Sequence, residues 1–189
     1  YGDIHMHSAI SDATGTPDEV LARAWVRGLD FAVLTDHDTV GGSRMLPSEY
    51  SEVAWTTDQF NTRSGFATLH AYEWTTPALP SGSGHKNVYF EEYGPTEPFT
   101  TGNGHPDTTS LYQKLRNEKA FAVPHHTPWT GVDWESFDEK IQRHFEVVSV
   151  HGGSDEPKGP IENRGHLEGM YAVDGYKKGL RFGLIAGSD

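Results

Sequence analysis

The chain has 189 residues, 35% hydrophobic and 12% aromatic, enough to bury a core and to exclude a disordered polypeptide. A formal charge of −12 argues against broad, sequence-independent nucleic-acid binding, and no run approaches the ~20 apolar residues that cross a bilayer. Cysteine is absent, which removes disulfides, thiolate nucleophiles and Cys-type zinc sites, whereas histidine is abundant: 11 residues against 15 Lys and Arg together.

The first strand is expected at Asp3–His7, inside the stretch Asp3-Ile4-His5-Met6-His7-Ser8-Ala9-Ile10-Ser11-Asp12. Thr16-Pro17-Asp18-Glu19 reads as a helix start, with Thr16 as N-cap, Pro17 in the first turn and Glu19 closing a capping box. Val20, Leu21, Ala24 and Trp25 give that helix an apolar face, and Gly28 ends it. A second strand, Phe31–Thr35, runs into Asp36-His37-Asp38. Segments 39–66 and 92–109 are rich in Gly, Pro, Ser and Thr and read as functional loops or lids. Between and after them come strands at Ala67–Glu73, Lys86–Glu91, Ala120–Pro124, Phe145–Val150 and Phe182–Ala186. Helices are expected at Ser110–Asn117, Trp134–Arg143 and Gly165–Lys178. Seven strands with intervening crossovers, no repeat and no linker give the α/β class in one domain over residues 1–189.

Nearly every expected strand meets a ligand-type side chain. The first carries His5 and His7, the second leads to His37, the third ends at Glu73, and the fourth is preceded by His85. The fifth delivers His125-His126, the sixth ends at His151, and the seventh at Gly187-Ser188-Asp189. A lone His-x-His is commonly incidental; recurrence at corresponding positions carries the argument. In a barrel of parallel strands all carboxyl ends meet on one face, so these residues converge, whereas an open sheet would spread them along an edge. The period of two also sends His5 and His7 to the same side of their strand. His85 is preferred over His105 because it adjoins the apolar run Val88-Tyr89-Phe90, while His105 sits in a Gly-rich loop. Neighbouring strand residues point oppositely, so one of His125 and His126 is expected at a metal and the other toward substrate or packing; the sequence does not choose between them.

The order His-x-His, an acidic residue five further on, Thr-Asp-His, Glu, His, His and Gly-Ser-Asp resembles the PHP superfamily of metal-dependent phosphoesterases, and does so over nearly the whole chain. Tyr1–His7, Gly84–Phe90 and Leu180–Asp189 look most like a branch of uncharacterised PHP-like proteins. The resemblance implies a distorted (β/α)7, TIM-like barrel with two or three divalent ions. It implies a first ion on His5, His7, Glu73 and Asp189. Glu73 would bridge to a second, held also by His85 and by His125 or His126, and Asp12 and His37 would hold a third. The family pattern adds a histidine two places beyond the Gly-Ser-Asp aspartate, so the resemblance also implies that the C-terminal end of the barrel is missing from this chain.

Nitrogen and oxygen donors without sulfur suit Zn²⁺, Mn²⁺ or Fe²⁺. The expected activity is hydrolysis of a phosphate mono- or diester by a metal-bound hydroxide. His126 or His151 would assist the leaving oxygen, Lys86 and Arg164 would receive the substrate phosphate, and Asp36 and Asp38 would orient ligand rings. The alternatives are an amidohydrolase-like enzyme acting on amides or lactones, for which no strand-end lysine suits the bridging role, and a non-catalytic metal-stabilised binding domain. The expected partner is a small phosphorylated substrate, with neither nucleic acid nor membrane; oligomeric state stays open, and so does compartment, since a chain starting at Tyr1 fits removal of a signal peptide.

Overall fold

The computed structural model describes every residue except Ser64 and Ser81. In chain order the elements are β1 (Gly2–Met6), α1 (Pro17–Val26), β2 (Phe31–Leu34), β3 (Thr39–Val40), β4 (Ser43–Arg44), α2 (Pro47–Asn61), β5 (Ala71–Thr75) and β6 (His85–Phe90). A 3₁₀ turn (Thr101–Asn103), α3 (Thr108–Leu115), β7 (Ala120–Pro124), α4 (Thr127–Thr130), β8 (His144–Ser149), β9 (Gly152–Gly153), α5 (Ala172–Lys177) and β10 (Gly183–Ala186) follow. The fold is mixed α/β. No helix among the described residues is long and apolar enough to cross a membrane.

Among the described residues, backbone pairing forms four separate sheets: β1-β2, β3-β4, β5-β6-β7 and β10-β8-β9. β1 and β2 are parallel, as are β8 and β10, but β6 is antiparallel to both β5 and β7. Seven strands joined by parallel crossovers are therefore not what the chain builds, and the described ladders do not close into a barrel. Isolated parallel bridges, Phe31 to Ala67 and His37 to Glu73, align residues 67–73 with β2 without a continuous ladder. One apolar cluster nevertheless draws Ile4, Val33, Ala71, Tyr89, Val123 and Ile185 from six strands of different sheets, so those sheets surround a common centre.

Helices cover the outside. Leu21 and Ala24 of α1 pack with Val53 and Phe60 of α2 against Ala32 and Leu34 of β2. Leu111, Tyr112 and Leu115 of α3 pack on Tyr72, Trp74, Val88 and Phe90 of β5 and β6. Burying side chains of this size stabilises by about 1.5–3 kcal/mol each.

Three local expectations fail. The 39–66 loop contains the hairpin β3-β4 and the fifteen-residue α2, whose start is fixed by Pro47 and by the Leu46 N–H donating to Glu49 Oε2 at 2.7 Å. Residues 134–143 form successive turns, although Trp134 and Ile141 are buried as an apolar face would be. Only Ala172–Lys177 of the expected 165–178 helix is helical; residues 165–171 run as irregular chain with a turn in which Gly169 takes a φ of +77°.

Candidate metal centre

His5 and His7 point the same way from the end of β1, as the period of two requires. Their Nε2 atoms are 3.2 Å apart. Glu73 Oε2, from β5, lies 3.3 Å from the first and 3.4 Å from the second, and Asp189 Oδ1 lies 3.3 Å from both. The centre of a regular tetrahedron with edges of ~3.3 Å is ~2.0 Å from each corner, the length of a Zn–N or Zn–O bond. Five of the six donor separations are 3.2–3.4 Å and all four donors lie within 4.8 Å of one another, spacings that a small divalent ion can span.

The surroundings fix this tetrahedron. His5 Nδ1 lies 2.9 Å from Glu146 Oε2, so an N–H there donates to the carboxylate and leaves the Nε2 lone pair facing the cluster. Gly187 lets β10 approach: a Cβ there would stand 2.5 Å from His5 Cβ and 2.7 Å from Glu146 Oε2. The Asp189 N–H then donates to the His5 carbonyl at 2.9 Å and the Ser188 N–H to Asp3 Oδ1 at 3.0 Å. The Gly-Ser-Asp motif thus ties β10 to β1 and sets the fourth donor.

The other oxygen of Glu73 faces a second set. Oε1 lies 2.7 Å from His85 Nδ1, 3.1 Å from His125 Nε2 and 3.2 Å from His37 Nδ1, yet it is buried without a well-directed hydrogen bond. Both ring nitrogens of His125 are likewise buried and unbonded. Such groups normally find a partner, and a cation between them supplies one. The antiparallel course of β6 explains why His85 precedes its strand: Thr75 pairs with His85 and Lys86 with Pro124, so the start of β6 lies beside the ends of β5 and β7. Gly84, at φ +75°, makes that entry possible, since a Cβ would sit 2.1 Å from the Gly131 carbonyl oxygen.

His125 and His126 do not diverge as strand alternation predicts. His126 adopts a left-handed backbone (φ 32°, ψ 41°) as it enters α4, which turns its ring back beside His125 with centroids 4.3 Å apart. Both therefore join Glu73 and His85 in one group of donors that could hold an ion. Further groups are His7 with Asp12 and His37, and His126 with His151 and Asp189. A cavity of about 330 Å³ opens over His7, Asp12, His151 and Asp189. A larger one, about 480 Å³, lies elsewhere, lined by Asp58, His70 and Tyr93 among others, and none of these donor groups borders it.

Charge is balanced by protons where ions would sit. Burial opposes the His5 imidazolium, but Glu146, Glu73 and Asp189 overcome it and raise the pKa well above its ordinary value. His37 is raised to about 9, again against burial, chiefly by Glu73. Burial would push the Glu73 carboxyl up, yet His125 and His37 hold it well below the usual carboxylate range, and Asp189 is lowered in the same way by His7 and His5. Burial keeps His125, His126 and His151 below the ordinary histidine value, hence neutral and able to donate a lone pair at neutral pH.

Several expected roles change. Lys86 is fully buried, donates to the Ser83 carbonyl at 2.7 Å and lies over the Trp74 ring; placed so, it does not reach an incoming phosphate. Arg164 is exposed, its guanidinium 4.0 Å from the centre of the Trp129 ring, which in turn packs on His126 and His151. Asp36 accepts from Ser8 N–H, Ser8 Oγ and Ser11 Oγ and so pins the loop carrying Asp12, and Asp38 accepts from Thr75 N–H; Asp36 reaches a ligand ring through Ser11, whose Oγ also lies 3.4 Å from His7 Nδ1. Glu146, Thr75 and Thr130 touch the rings directly, the last two 2.7 Å from His37 Nδ1 and 3.1 Å from His126 Nδ1. Sequence reasoning passed over all three; the one available signal was a glutamate inside the apolar strand Phe145–Val150. His105 packs on Phe99, outside every one of these groups.

A family described as protein of unknown function (DUF3604) matches residues 38–140, more than half of the chain. The chain belongs to that family. The fold of this DUF3604 chain is similar to those of two solved structures. It resembles a Bifidobacterium adolescentis structure named as a candidate metal-dependent phosphoesterase, at 15% identity over 100% of this chain and 86% of that one, with a TM-score of 0.58. It also resembles a Bacteroides vulgatus two-domain protein containing a predicted PHP-like metal-dependent phosphoesterase, at 21% identity over 79% of this chain and 44% of that one, TM-score 0.53. Over 40 residues, 21% of this chain and 14% of the relative, it is 50% identical to a 3',5'-nucleoside bisphosphate phosphatase of Chromobacterium violaceum. The chain spans about a quarter or less of the length of the curated relatives it matches.

Proposed function

We propose that this chain is the hydrolytic part of a phosphoesterase acting on a phosphate mono- or diester at a centre of two or three divalent ions. The observation that carries the reading is Glu73: fully buried, with one oxygen completing the His5-His7-Asp189 tetrahedron and the other facing His85 and His125. His5, His7, Glu73 and Asp189 would hold one ion, Glu73, His85 and His125 a second, and Asp12 and His37 a third. The six-strand apolar cluster supports reading the separate sheets as a distorted (β/α)7 barrel whose open ladders carry these residues to one mouth. The nitrogen and oxygen donors suit Zn²⁺, Mn²⁺ or Fe²⁺. When bound, such ions neutralise phosphoryl charge and acidify water.

The chain's own residues do the rest. Glu146, Thr75 and Thr130 hold the imidazoles of His5, His37 and His126 in place. His151 borders the cavity in its neutral form, so it presents a lone pair there and not a proton for the leaving oxygen. Glu73 fills the bridging position that an amidohydrolase gives to a lysine, and Lys86 points into the core. The test is release of p-nitrophenol from p-nitrophenyl phosphate and from bis(p-nitrophenyl) phosphate by metal-loaded protein. Glu73→Gln and His7→Ala are expected to abolish turnover of whichever ester is cleaved. Turnover unchanged in both variants, or no ester cleaved at all, overturns the reading.

A further inference from the structure

We propose that His126, His151 and Asp189 hold a further divalent cation, beside the clusters centred on Glu73; this rests on reading the centre as a metal site. Asp189 divides its carboxylate as Glu73 does. Oδ1 lies 3.3 Å from His5 and His7 Nε2, while Oδ2 turns away, 3.4 Å from His151 Nε2, 3.8 Å from His126 Nε2 and 3.4 Å from Ser149 Oγ. One donor atom from each of His126, His151 and Asp189 lies within 4.8 Å of the others. Spacings of this size leave room for bonds of ~2.0–2.2 Å to a shared ion.

Backbone conformation points to the same place. His126, one of the three proposed ligands, has a left-handed backbone (φ 32°, ψ 41°) although it is not a glycine. A left-handed backbone costs an L-residue about 1–2 kcal/mol and persists where the surroundings over-determine it, commonly at functional sites. Here the left-handed turn swings His126 off the face that strand alternation would give it and toward His151, with ring centroids 5.1 Å apart.

The rings are also held. Thr130 Oγ1 engages His126 Nδ1, leaving Nε2 for the ion, and Trp129 packs 5.0 Å from both the His126 and the His151 rings. The Arg164 N–H donates to the His151 carbonyl at 2.8 Å and anchors that turn. His151 and Asp189 both line the cavity of about 330 Å³, so the fourth side of the position opens to solvent. Two imidazoles and one carboxylate with an open side suit Zn²⁺ or Fe²⁺ in the coordination of a reactive site, where a structural site would be closed by protein.

The experiment counts ions in purified protein reconstituted with Zn²⁺ and freed of excess, for wild type and His151→Ala. The variant is expected to hold one equivalent fewer Zn²⁺ than wild type while keeping its far-UV spectrum. Because the chain has no cysteine, His151→Cys adds an independent reading: on Co²⁺ loading it is expected to show a thiolate-to-metal charge-transfer band that wild type lacks. A full Zn²⁺ complement in His151→Ala with no such band in His151→Cys overturns this cation position and leaves the Glu73 centre intact. Wild type that retains no Zn²⁺ overturns both.

Discussion

Glu73 and Asp12 face the same two histidines from opposite sides and are built in opposite ways. Glu73 is fully buried, 3.2 Å from His37 Nδ1 and 3.4 Å from His7 Nε2. Asp12 keeps half of its side chain in solvent, 3.6 Å from His37 Nε2 and 3.7 Å from His7 Nδ1. Glu73 lies on a strand that pairs with β6, bringing His85, and bridges to His37 on its other side; Asp12 lies on a loop tied to Asp36 through Ser8 and Ser11 and closed by its own backbone bonds. The difference separates a preorganised interior, where donors are fixed before an ion arrives, from a rim whose geometry tightens on binding.

Substitution sharpens that contrast most. Glu73→Gln removes charge from two donor groups at once, and metal-dependent hydrolysis is expected to fall by roughly 100- to 1,000-fold. Asp12→Asn is expected to weaken uptake of a single ion by less than about tenfold, because a half-exposed carboxylate is already screened by water. Ester hydrolysis measures the first and competition titration with a chromogenic chelator the second; Asp12→Asn losing as much hydrolysis and ion uptake as Glu73→Gln would erase the distinction.

A smaller effect tests whether the interior depends on what fixes it. Glu146→Leu frees the His5 ring to turn while leaving every donor in place. Affinity for the first ion is expected to drop by about 10- to 100-fold, with Glu146→Gln recovering part of it because the amide oxygen still accepts from Nδ1. Equal losses in the two variants would show that Glu146 acts through its charge and not through ring orientation.

Protons give the smallest and most graded test. In the metal-free protein His37 binds its proton up to about pH 9, and a ligand must shed it. Affinity at the His37 position is therefore expected to rise as pH increases toward 9, by up to tenfold per unit, and to level off above it. The sign follows from His37 holding more protons without the ion than with it. Calorimetry in buffers of different ionisation enthalpy is expected to report proton release at pH 7.5; uptake would contradict the assignment.

The donors were legible in the sequence because each sits at a strand end or in a short motif: His5 and His7 by alternation, Glu73, His125 and Asp189 by position after apolar runs. What was not legible depended on chain direction and backbone conformation. Nothing in His85-Lys86-Asn87 announces that β6 runs antiparallel, which is what carries a residue at a strand's start to the common mouth. No pattern marks His126 as left-handed, so both histidines of the pair could not be placed together. Helix α2 was hidden because four of its fifteen residues are Ser or Thr, although its buried positions Tyr50, Val53, Thr57 and Phe60 keep helical spacing. Lys86 reads from the sequence as a cation available to a phosphate because burial of a lone ammonium is rare.

The central claim is that Glu73 joins two ions, and anomalous diffraction from Zn²⁺-loaded crystals measures it most directly. Two strong peaks are expected to flank that carboxylate, one ~2.0–2.2 Å from each oxygen, the first also touching His5, His7 and Asp189 and the second His85 and His125. Crystals that take up Zn²⁺ elsewhere while leaving both sides of Glu73 without a peak would contradict it.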